Sequence, residues 1–84
     1  MKTKAQVVKL KKPYKGQVAF ASITLNDEII LHGFKLIVID DTYHVATPVD
    51  YRDFLIYKIK DDLNMQILNQ AKELFQLLSR KHYQ

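Results

Sequence analysis

Six lysines and no acid stand among the first sixteen residues: Lys2, Lys4, Lys9, Lys11, Lys12 and Lys15. Ammonium groups at this density serve one chemistry well, as point charges that displace counterions from phosphates. Tyr14, between Lys12 and Lys15, adds a ring on which a base can stack. Lysine along a strand edge also has a purely structural use, because it blocks edge-to-edge aggregation. The rest of the chain sharpens the contrast. The start carries +6, the body between carries −4, and Arg80 and Lys81 add +2, which sums to the net +4. Basic ends on a mildly acidic body are the footprint expected of a polyanionic partner, nucleic acid being the commonest, while a solvated, solubilising terminus accounts for the same lysines without a partner.

Other reactive side chains are sparse. Asp40, Asp41 and His44 lie close together, but their spacing matches no ligand motif, and Asp-Asp-Thr makes a good turn by itself. His32 is the other histidine of the body. The chain has no cysteine, which excludes disulfides, thiolate metal sites and a cysteine nucleophile. No convergent set of histidine, acid and serine is visible. The expectation is a protein without catalysis, metal or cofactor.

The lysines must be positioned by strands. "QVVKLKK" alternates with period two at Val8, Lys9, Leu10 and Lys11, as a half-buried strand does, with Lys9 and Lys11 on one face. "KPYKG" then turns the chain at Pro13 and Gly16. "QVAFASITL" puts Ala19, Ala21, Ile23 and Leu25 on one face and Val18, Phe20, Ser22 and Thr24 on the other. Asn26-Asp27 tolerates the positive φ of a tight hairpin. "EIILHGFKLIVI" is the return strand, and Gly33 at its middle predicts a bend or bulge near His32-Gly33. Asp40-Asp41-Thr42 is the next turn, "YHVAT" the next strand, and "DFLIYKI" a further short strand ending near Ile59.

The period then changes. Ile59, Leu63, Ile67, Ala71, Leu74, Phe75 and Leu78 recur every three or four residues, the stripe of an amphipathic helix. Asp61 or Asp62 can cap its start, and Arg80, Lys81 and His82 suit its end. The fold class is α+β: an antiparallel β-sheet meander with a C-terminal amphipathic α-helix packed on one face.

The 84 residues make one domain, 1–84, with a thin core. One helix covers one sheet face, so the partly apolar face of Val18, Phe20 and Thr24 predicts a homodimer. The lysines of the start are not followed by the apolar stretch of a secretory signal. No apolar run approaches the ~18 residues of a membrane span. The expectation is a cytoplasmic protein with no membrane partner.

Four segments together carry a family resemblance. They are "VKL" at Val8 to Leu10, "ASITLNDE" running on to His32-Gly33, "VATP" at Val45 to Pro48, and "YRD" at Tyr51 to Asp53. This order resembles the SpoVG family, the septation and gene-regulatory proteins of bacteria, over nearly the whole chain. The resemblance implies a homodimeric cytoplasmic regulator that binds DNA or RNA, without catalysis or cofactor. The family's basic loop after the proline is shortened here to "PVDYRDF". The nucleic-acid-binding candidates are therefore Lys9, Lys11, Lys12 and Lys15 of the start, with Arg52 as helper. The alternative is a protein–protein interaction module with little or no nucleic-acid binding.

Overall fold

The computed structural model describes residues 2–81. Four antiparallel strands follow in chain order: β1 (Thr3–Tyr14), β2 (Gln17–Leu25), β3 (Ile29–Ile39) and β4 (Thr42–Ala46). They lie side by side in the same order, a meander, and helix α1 (Asp61–Lys81) packs on one face. The architecture is α+β, as the sequence predicts. His82 lies outside the described residues.

Each hairpin turns on a pair of residues with positive φ: Lys15-Gly16, Asn26-Asp27 and Asp40-Asp41. Two successive left-handed residues give the primed turn, whose twist matches that of the flanking strands. Asparagine, aspartate and glycine adopt this backbone readily; Lys15, at φ 49°, does so against its preference.

The buried core consists of Ala5, Ala19, Ala21, Ile23, Phe34 and Leu36 from the sheet and Ile67 and Ala71 from α1. Leu63, Leu74 and Phe75 pack around it. Alanines at the centre of the sheet let the helix backbone approach closely. Phe34 and Leu36 then fill the volume alongside.

The bulge expected at His32-Gly33 is present. Ala21 pairs with Phe34 and Ile23 with Leu31, so Ser22 alone faces both His32 and Gly33. Gly33 has φ +91°, and a Cβ there would stand 3.2 Å from Pro48 Cβ. The positive φ favours glycine here, and a side chain would in addition push Pro48 aside by a few tenths of an ångström.

Two expectations fail. "DFLIYKI" is not a strand. Val49 and Leu55 form one isolated bridge, and the chain from Pro48 to Ile56 closes as a miniature hairpin of its own. The helix is not capped by Asp61 or Asp62. Lys60 C=O accepts from Asn64 N–H at 2.9 Å, so Lys60 holds the cap position. The two aspartates lie within the first turn, where they complement the helix dipole. Ile59 consequently precedes the helix, although it still packs against the core.

Candidate nucleic-acid interface

The lysine-rich strand is regular only as far as Lys9. From Thr3↔Leu25 to Lys9↔Ala19 each residue has one partner on β2, and the next pair is Tyr14↔Gln17. Four residues, Leu10 to Pro13, therefore face Val18 alone. Pro13 has no N–H for a ladder and so suits a bulged edge segment. This wide bulge carries Lys11 and Lys12, both exposed, and leads to exposed Tyr14 and Lys15. Lys15 Nζ lies 5.3 Å from the centre of the Tyr14 ring.

Lys9 does not share a face with that cluster. Ala5 and Val7 point toward the helix, and Lys9 continues their parity. It is half-buried, with Nζ 5.8 Å from the centre of the Phe75 ring. Val8, of the opposite parity, is 68% exposed. Packing of Ala5 under α1 fixes this phase, and a strand's phase is all or nothing.

Arg52 stands apart. Its loop follows β4, one edge of the sheet, whereas the lysines lie on β1, the other edge. Three strand spacings of ~4.8 Å separate the two edges. The Asp50 carboxylate organises this loop. Oδ1 accepts from Arg52 N–H at 2.8 Å and Phe54 N–H at 3.1 Å, while Oδ2 accepts from Arg52 Nη2 at 3.0 Å. Partial withdrawal from water acts to raise the Asp50 pKa, but the bonds from the guanidinium and the two backbone N–H groups outweigh it. The net shift is below the usual carboxylate value. The Arg52 guanidinium sits 5.4 Å from the Tyr51 ring and 5.2 Å from the Phe54 ring. Its charge is thus paired, and Tyr51, 92% exposed, and Phe54 project beside it.

Among the described residues the ion pairs are Arg52–Asp50 and Lys2–Asp27. Lys11, Lys12 and Lys15 have no acidic partner there. His32 and His44 join no cluster, and no group of three or more His, Asp or Glu side chains among the described residues can hold a metal ion. No described helix is long and apolar enough to cross a membrane.

Sequence reasoning could not find the separation of Lys9 from Lys11. The bulge that causes it shows in the sequence only as Pro13. No protein-family model, curated protein or solved structure matches this chain.

Proposed function

We propose that this chain is a small homodimeric nucleic-acid-binding regulator of the SpoVG type, acting in the cytoplasm without catalysis or cofactor. The observation that carries the reading is the bulged corner of the first hairpin. Lys11, Lys12 and Lys15 are exposed there around Tyr14, with no acidic partner among the described residues. Such cations contact phosphates and leave sequence unread. The tyrosine offers a stacking surface, which favours single strands. Lys9 contributes through the field of the corner, and Arg52 belongs to a separate loop. For the homodimer, support comes from the uncovered sheet face, where Val8 and Phe20 stand directly opposite each other and Ile30 is exposed nearby.

The test is fluorescence anisotropy with labelled single-stranded DNA, single-stranded RNA and duplex DNA across a salt series. Affinity should fall steeply with salt and vary little with sequence. Changing Lys11, Lys12 and Lys15 together to glutamine should flatten the log–log slope by up to roughly 2–3 units, at about 0.7–0.9 per phosphate contact. An unchanged slope and affinity would remove this reading. The interaction-module reading would then stand, supported by the exposed Tyr51, Phe54, Leu55 and Ile56 of the Asp50 loop.

A further inference from the structure

The free edge of β1 is half occupied by a side chain that imitates a strand. β1 pairs only with β2, so alternate residues of β1 turn their N–H and C=O groups away from the sheet. Thr3 and Ala5 are two of these. Ala5 N–H donates to Gln70 Oε1 at 2.9 Å, and Gln70 Nε2 donates to Thr3 C=O at 3.3 Å and Thr3 Oγ1 at 2.6 Å. The Gln70 amide therefore offers β1 the same donor and acceptor that a fifth strand would offer. By the same alternation, Val7 and Lys9 are the next residues whose backbone groups face outward.

Beside them runs a groove of about 460 Å³, lined by Ala5, Gln6, Val7 and Val8 from β1 and Leu74, Leu77 and Leu78 from α1. Residues of both strand parities line it, so it follows the edge of the sheet and not one face. Its wall is apolar, and Leu77 is 52% exposed.

We propose that this edge is a docking site for a short extended peptide of a partner protein, with alternating apolar and acidic residues, added antiparallel or parallel as a fifth strand. Backbone bonds to Val7 and Lys9 supply register, and the leucine wall accepts the apolar side chains. The charge balance selects the sequence. β1 carries Lys4, Lys9, Lys11 and Lys12 and no acid, and none of the residues lining the groove is acidic. A second copy of β1 paired antiparallel about Val7 would set Lys9 opposite Ala5 and Lys4 opposite Leu10, leaving the lysines of both copies without a counter-charge, whereas an acidic peptide supplies one. The bulge beginning at Leu10 limits the paired stretch to about five residues, ending where Lys11 and Lys12 meet the peptide's acids.

The proposal is independent of nucleic-acid binding, and one variant separates the two. Val7→Pro removes a single outward N–H and no ladder bond to β2, the position at which an edge strand accepts proline. The probe is a fluorescein-labelled seven-residue peptide of alternating valine and glutamate. It should bind the intact protein, whereas the valine–lysine peptide and the serine–glutamate peptide should not. Val7→Pro should weaken it about five- to tenfold, the loss of one backbone bond and its register. Binding of single-stranded DNA should be unchanged, because lysine side chains need no backbone donor. Leu77→Asp, on the exposed wall, should weaken the peptide without altering the fold. On the intact protein, amide exchange at Val7 and Lys9 should slow when peptide is added, a readout that needs no variant. Three results overturn the proposal: no binding of the valine–glutamate peptide, equal binding of the serine–glutamate peptide, or a homodimer that dissociates in Val7→Pro. The last would assign the edge to a second copy.

Discussion

Gln70→Ala tests whether the amide at the edge of β1 holds the two ends of the chain together. Gln70 makes three hydrogen bonds to Thr3 and Ala5, all of them part-buried. Thr3 Oγ1 extends the set by donating to Gln66 Oε1 at 3.2 Å. A typical intramolecular bond contributes about 0.5–1.5 kcal/mol net, and water reaches this edge once the amide is gone, so the lower half of that range applies. Three bonds then sum to roughly 1.5–3 kcal/mol. Alanine returns a few tenths, about 0.3 kcal/mol, through its better helix propensity. The expected loss is ~1–2.5 kcal/mol, which lowers Tm by about 4–8 °C for each kcal/mol in a domain of this size. The assay is urea unfolding followed by far-ultraviolet circular dichroism, with Gln66→Ala as a comparison that loses only the exposed bond. Near-equal midpoints for Gln70→Ala and the wild type would refute the reasoning, since they would show that water replaces the amide at no cost.

Gly33→Ala should destabilise by about 1–3 kcal/mol, because it sets a side chain at positive φ and 3.2 Å from Pro48 Cβ; thermal melting reads the loss. Lys15→Gly should do the opposite, stabilising by roughly 0.5–1 kcal/mol as the first residue of the primed turn is freed of strain. Asp50 has a lowered folded pKa, so its stabilisation is present above the unfolded carboxylate value and is lost as pH falls through the folded one. The chemical shifts of the Arg52 and Phe54 amides should therefore move together on acidification, and Asp50→Asn should abolish that transition.

Much of this architecture is legible because local chemistry and tertiary packing agree. Asn26-Asp27 and Asp40-Asp41 are turn residues that turn. Gly33 is a bulge glycine that bulges, and the stripe through Leu63, Ile67, Ala71 and Phe75 faces the core. The readings that fail do so where two local options compete. Phe54 to Ile59 has strand-like residues. However, the Asp50 side chain captures the N–H groups of Arg52 and Phe54, and this favours a closed loop over a ladder. Lys9 looks solvent-bound by type, yet Ala5 and Val7 set the phase of β1 and carry it under the helix beside Phe75. The lysine cluster is thus visible as composition, while its division between a ring contact and an exposed corner is a matter of packing. Gln70 gives no signal at all, being one of several glutamines along a helix whose polar face is full of them.

The meander also dictates the order in which this chain acquires its structure. Every strand pairs with its neighbour in sequence, so three short turns assemble the whole sheet by local closure, each hairpin on a timescale of about 1–10 μs. The bonds between Thr3 and Gln70 span 67 positions in sequence, but once the sheet has formed only the segment between Ala46 and Asp61 is left to close. Docking of α1 on the assembled strands is accordingly expected to follow their pairing. Substitutions at Thr3 or Gln70 should then act chiefly by accelerating unfolding, and those at Asn26-Asp27 or Asp40-Asp41 by slowing folding, which stopped-flow refolding and unfolding rates would distinguish.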